Sequence, residues 1–201
     1  MLDLYDFIHE LNNLSRPTDI ICPSASGYGC LIALQEWKLK KGQRFTTNFV
    51  FGQMGAGLST AIGATLATNR PVILIEGDGG FILNMQELAV VRDRHLPIMI
   101  FILNNHGYHS IRTMQDNRFN GHHVACDSES GLPATNIAQM ADLYDIPHYP
   151  VHSVGEIGFA FVCELPLIAE VFIEPDQQYR HRLKSQLIEG EWHWQKLEEI
   201  N

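Results

Sequence analysis

Two almost unbroken apolar runs, "VILIEGD" from Val72 and "IMIFILNN" from Ile98, bracket the amphipathic stretch "NMQELAVVRDRH". A strand with one wet face alternates apolar and polar residues; a run without a polar face has to be covered on both sides, the mark of a parallel sheet between helical layers. Parallel neighbours cannot be joined by a tight turn, so the stretch between them must be a crossover helix. Its pattern fits: Leu88, Val91 and Leu96 share one side, Arg92, Asp93 and Arg94 face outward, Asn84 stands near the start, and Pro97 closes it. Strand-length runs at "DIICPS", "NFVFG", "HYPV" and "PLIAEVFIEP" alternate with helical segments such as "GAGLSTAIGATLATN" and "ATNIAQMADLYDI". The expected fold is α/β, a parallel β-sheet sandwiched by helices.

The opening "MLDLYDFIHELNNL" has the periodicity of a short amphipathic helix and lacks the basic start of a signal peptide. Between about 112 and 133 the chain turns polar, which predicts a long surface loop. One domain over 1–175 is expected, followed by a charged, amphipathic tail over 176–201, with no internal repeat. Fourteen Lys and Arg against 23 Asp and Glu give a formal charge of −9, which argues against nucleic acid and anionic membrane surfaces as partners. No apolar run reaches the roughly 18 residues of a membrane span. The four cysteines have no CxxC spacing and read as reduced structural thiols, so a cytoplasmic location is expected. His122, His123 and His193 lie in polar or terminal segments and read as surface residues.

Each of the two central runs ends in a small polar cluster, Gly77-Asp78-Gly79-Gly80 and Asn104-Asn105-His106-Gly107. Ligands of open α/β sheets bind beyond the carboxyl ends of the strands, where both clusters fall. Gly77, Gly79 and Gly80 allow a sharp turn and close backbone approach, so that amides entering the next helix can face an anion such as phosphate. Asp78 beside that anion would repel it unless a divalent cation lay between. Asn105 and the carbonyl near Gly107 add neutral oxygens, and a magnesium ion takes about six oxygens from carboxylate, phosphate and water. Either cluster alone reads as a plain turn; the two in this order, one crossover apart, point to a magnesium diphosphate bridge. A Rossmann GxGxxG and a Walker lysine are both missing.

With these residues in place, the sequence resembles the diphosphate-binding (PP) domain of thiamine-diphosphate enzymes, whose signature is GDG, about two dozen residues, then NN. "FGQMGAGLSTAIGA" at 51–64 is similar to a matching stretch of acetolactate synthases, and "NMQELAVVRDRHLPIMIFILNNHGYHSIR" follows the same family; the resemblance covers about 20–175. It implies thiamine diphosphate and Mg2+ as cofactors, with Asp78, Asn105 and the Gly107 carbonyl on the metal and the Gly79 and Gly80 amides on the diphosphate. Ser26, Gly27 and Tyr28, in "SASGYG", are further candidates for the diphosphate. Gly52 matches the position whose carbonyl accepts a hydrogen bond from the aminopyrimidine. Met54, which alone would read as a core methionine, matches the apolar wedge that bends the cofactor and brings its own imino nitrogen to the reacting carbon.

The sequence departs from the family in two ways. Gly80 stands where the family often has Ser, which removes a hydroxyl and keeps the amide. The glutamate that activates the pyrimidine belongs, in the family, to a separate pyrimidine-binding (PYR) domain, and no certain catalytic residue is expected in this chain. Glu76 and Glu87 read as structural or interface residues. The resemblance therefore implies the PP subunit of a split 2-oxo acid decarboxylase or carboligase resembling acetolactate synthase, paired with a PYR subunit in a two-plus-two heterotetramer. A non-catalytic thiamine-diphosphate-binding or regulatory module is the other reading. His106 and His109 would approach the reacting carbon if their loop folds inward.

Overall fold

The chain is seen in a computed structural model that describes residues 1–48, 50–175, 177–180, 185–188 and 191–194. The strands are β1 (Ile20–Pro23), β2 (Arg44–Phe45), β3 (Val72–Gly77), β4 (Ile98–Asn104), β5 (His148–Val151) and β6 (Leu167–Phe172). They form one sheet in the order β2-β1-β3-β4-β6-β5, every pair parallel. The helices are α1 (Leu4–Leu14), α2 (Gly27–Glu36), α3 (Ala56–Thr68), the single turn α4 (Asp78–Phe81), α5 (Leu88–Asp93), α6 (His109–Phe119) and α7 (Ile137–Leu143).

Strands β3 and β4 are buried along almost their whole length, which is why they carry no polar face. Their alternate residues feed two cores. Ile73, Ile75, Met99, Phe101 and Leu103 pack with Phe7, Ile8 and Leu11 of α1 and Ile32 of α2. Val72, Leu74, Ile98, Ile100 and Ile102 pack with Leu58 and Ala61 of α3, Leu88 and Val91 of α5, and Ile137 and Ala141 of α7. Helix α1 starts where Asp3 accepts hydrogen bonds from the amides of Tyr5 and Asp6, and α7 starts where Asn136 accepts one from Gln139.

Two expectations change. "NFVFG" is not a strand: Phe49 lies outside the described residues, Val50 and Phe51 form an exposed turn, and the edge strand is the two-residue Arg44–Phe45 beside β1. Part of the loop expected at 112–133 is α6, whose polar composition reflects how little of it is covered: only His109 and Arg112 are buried. Asn120, with φ 52°, then ends it. Most of the tail expected over 176–201 lies outside the described residues. Within it, Ser185–Ile188 and Glu191–Trp194 pair as an antiparallel hairpin, and Gln177 bonds Leu4 N–H and the Asp3 carboxylate.

Candidate functional site

From β1 the chain leads to β2 on one side of the sheet and then returns to β3 on the other, so a crevice opens at the carboxyl ends of β1 and β3. A cavity of about 270 Å³ lies there. The parallel register Glu76↔Ile102 and Gly77↔Leu103 ends β3 and β4 level with each other, which brings the two polar clusters together. All ten residues singled out in the sequence, Ser26, Gly27, Tyr28, Gly52, Met54, Asp78, Gly79, Gly80, Asn105 and Gly107, line this one cavity.

Asp78 is 2% exposed. Its Oδ1 accepts the Gly79 N–H at 2.8 Å and its Oδ2 the Gly107 N–H at 3.0 Å. Burial pushes its pKa up to about 6, against the pull of those two amides and of the Arg112 charge. The Gly79 amide, expected to face an anion, is thus held by the Asp78 carboxylate. Asn105 Oδ1 lies 2.8 Å from the Gly107 carbonyl oxygen and 3.3 Å from Asp78 Oδ1. Three oxygens with no proton between them repel. Turning the carboxamide over relieves this, because Nδ2 then donates to both neighbours. A cation relieves it too, and neighbouring oxygens around magnesium stand about 2.9 Å apart, the edge of an octahedron with bonds of about 2.0 to 2.1 Å. The donor set therefore fits a hard divalent cation.

Close packing fixes this geometry. A Cβ on Gly79 would fall 2.2 Å from the Tyr108 ring, and one on Gly107, at φ +134°, would fall 2.2 Å from the Cys126 carbonyl oxygen. The same Cys126 carbonyl accepts the Tyr108 N–H at 2.8 Å. Arg112 donates to the Pro175 carbonyl at 2.7 Å and reaches the Asn105 carbonyl at 3.4 Å, so α6 braces the second cluster from below.

Tyr28 is buried, with its hydroxyl donating to the Gln177 carbonyl and its ring against His109 and Tyr179. It forms a wall rather than a free donor. Met54 is 39% exposed at the mouth and is not part of either core. His109 turns inward, buried, with Nδ1 2.5 Å from the Pro175 carbonyl; His106 is exposed, at φ 61°. His123 has two carboxylate neighbours: its Nε2 lies 2.7 Å from Asp116, and its Nδ1 4.0 Å from Asp127, four residues on.

Two buried carboxylates lie on the strands beside the site. Glu76, which reads from the sequence as a structural or interface residue, lines the cavity. Glu170 on β6 accepts Asn104 Nδ2 at 2.6 Å and lies 2.8 Å from His148 Nε2, while Asn104 Oδ1 accepts the His106 N–H at 3.1 Å. The first Asn of the pair thus orients the loop that the second serves. The signal for both was an acidic residue inside an otherwise apolar strand. Burial alone would raise the pKa of Glu170, but the bonds from His148 and Asn104 and the nearby histidine charges outweigh it and leave it lowered. A lowered carboxylate stabilises the fold above its unfolded value, near 4.5, and that contribution disappears as pH falls through the folded value. Glu170→Gln is therefore expected to lower the melting temperature near neutral pH and to show a shallower loss below about pH 4.5 than the parent, in thermal melts across pH.

Residues 26–161 match the family model described as thiamine pyrophosphate enzyme, C-terminal TPP binding domain. The chain belongs to this family. It is 31% identical over 150 residues to the chloroplastic acetolactate synthase of Arabidopsis thaliana, a match covering 65% of this chain and 22% of that one. It is 35% identical over 101 residues to the large subunit of acetolactate synthase isozyme 2 of Escherichia coli (strain K12), covering 50% and 18%. The chain therefore spans about a fifth of the length of these relatives. The fold is that of the Rhodococcus jostii RHA1 thiamine diphosphate-dependent 4-hydroxybenzoylformate decarboxylase, with a TM-score of 0.75 at 22% identity over 86% of this chain and 33% of that one. Among the described residues no helix is long and apolar enough to cross a membrane.

Proposed function

We propose that this chain is the thiamine-diphosphate- and Mg2+-binding half of a 2-oxo acid decarboxylase or carboligase of the acetolactate synthase type, and that a separate PYR subunit completes it. The observation that supports the metal is the convergence of Asp78 Oδ1, the Asn105 carboxamide and the Gly107 carbonyl oxygen, with the carboxamide 3.3 and 2.8 Å from the other two, at one end of the cavity. Asp78, Asn105 and Gly107 would hold the cation, and the Gly79 and Gly80 amides would face the diphosphate. Gly52 and Met54 then address the pyrimidine and the bend between the rings. Bound there, thiamine diphosphate supplies the carbon nucleophile and the electron sink for decarboxylation.

The proposed partner rests on exposed apolar residues, of which Met54 and Ile111 line the cavity and Val50 and Phe51 precede Gly52 in the chain. Val50 and Phe51 are 90% and 80% exposed, and Met54, Leu83 and Ile111 add further exposed apolar surface. Surface of this kind marks an interaction site. A PYR subunit in a two-plus-two assembly would cover it and bring the activating glutamate. The same reading places the protein in the cytoplasm, where its four free thiols stay reduced.

Calorimetric titration of the purified chain with thiamine diphosphate is expected to show binding with Mg2+ and none with a chelator. Turnover of a 2-oxo acid panel is expected only after co-expression with a PYR-domain chain. Binding that ignores Mg2+ overturns the metal assignment, and full turnover by the chain alone overturns the split enzyme. Mg2+-dependent binding without turnover beside any PYR chain would make it a regulatory module.

A further inference from the structure

Glu76 is the next-to-last residue of β3 and only 3% exposed, yet its Oε2 has no hydrogen-bond partner. The Gly77 and Gly57 amides and the Ser24 hydroxyl are near enough to temper its charge, but none meets Oε2 in bonding geometry. Its side chain shares the sheet face of Val72 and Leu74 and so points at the start of α3. What it meets there is glycine on two sides. A Cβ on Gly57 would stand 2.1 Å from Oε2, and a Cβ on Gly80 would stand 2.5 Å from Oε1. One carboxylate thus fills the space vacated by two glycines, one from "GQMGAG" and one from "GDGG". Helix α3 gives this placement a purpose: its N-cap is Gly55, which has no side chain to satisfy the first amides. A carboxyl group from the neighbouring strand stands beside that helix end.

We infer that Glu76 is a positioning residue, wedged between the turn that carries Gly52 and Met54 and the turn that carries Asp78, and that it dictates glycine at position 80. The departure from the family's Ser at that position then has a physical cause. A serine Cβ would stand 2.5 Å from Glu76 Oε1 and 3.2 Å from its Cδ, so the buried carboxyl group would have to shift to admit it. This inference rests on the proposed thiamine diphosphate site only for its effect on binding; the contact itself does not depend on the cofactor.

The test is a double-mutant cycle over Glu76→Asp and Gly80→Ser, read by thermal melting without cofactor and by calorimetric titration of thiamine diphosphate with Mg2+. In the parent, Gly80→Ser is expected to lower the melting temperature and to weaken thiamine diphosphate by about tenfold or more. In the Glu76→Asp background, whose side chain is one methylene shorter, the same change is expected to cost less than about threefold in affinity and to leave the melting temperature of the single variant unchanged. Additive effects in the melts overturn the wedge. Coupled melts with additive affinities confirm the contact and overturn its role in positioning the ligand turns. If the parent itself fails to bind thiamine diphosphate, the proposed function falls, while the melting cycle still decides the Glu76–Gly80 contact.

Discussion

Asp78→Asn is expected to weaken Mg2+-dependent thiamine diphosphate binding by at least about 100-fold, because partners one shell further from a metal already cost about 10- to 100-fold. The same change is expected to leave the metal-free chain as stable as its parent or more so. The buried carboxylate is raised from 3.8 to about 6, so near neutral pH the metal-free fold holds an ion that it would rather see protonated. That preference corresponds to about 3 kcal/mol. The sign follows from the raised value: the parent loses stability as pH climbs from 3.8 through about 6, and the amide does not. Against this gain, the asparagine keeps one oxygen for the Gly79 and Gly107 amides and turns its own amide group on the other. Calorimetry with Mg2+ and thermal melts with a chelator read the two effects separately. Unaltered affinity would mean that Asp78 holds no metal; a large fall in metal-free stability would mean that its hydrogen bonds outweigh its desolvation.

Gly107→Ala is expected to produce the largest loss of stability of any single methyl addition at the site. The residue sits at φ +134°, a conformation nearly closed to side chains, and the new carbon would stand 2.2 Å from the Cys126 carbonyl oxygen and 3.2 Å from its carbon. Both obstacles are backbone. Strain of this kind costs about 1 to 3 kcal/mol and overpacking a similar amount, so a total of about 3 kcal/mol or more is expected, or a fall of about 6 to 12 °C in melting temperature. Gly131→Ala is the control: its φ is +106°, but nothing lies within 4 Å of the new carbon, so only the strain is incurred. Equal losses in the two variants would show that the contact with Cys126 contributes nothing.

The sheet and the meeting of the two clusters were legible because one physical rule, burial on both faces, wrote itself into β3 and β4 as continuous apolar residues. Where that rule has no purchase, the sequence was silent or misleading. Val50 and Phe51 look like strand material, yet an apolar residue waiting for a partner is written in the same letters as one buried in a sheet. Helix α6 looks like loop because only His109 and Arg112 meet the core, and its anchor, the Pro175 carbonyl, lies far along the chain. Asp78 was found because glycines flank it. Glu76 stands two residues earlier, inside β3, and its meaning depends on which glycines it touches, which only the packing of α3 and α4 against β3 displays.

The level ends of β3 and β4 also say which parts of the chain evolution and engineering are free to alter. Register is set strand against strand, from Val72↔Ile98 to Gly77↔Leu103, and the helix between them only has to return the chain to the starting edge. Lengthening α5 by a turn would move neither cluster. Inserting a single residue into β3 or β4 would carry one cluster past the other by about 3.3 Å and turn its side chains to the opposite face. The sequence distance between GDG and NN is therefore a loose quantity; the invariant is the number of ladder steps from the foot of each strand to its polar end.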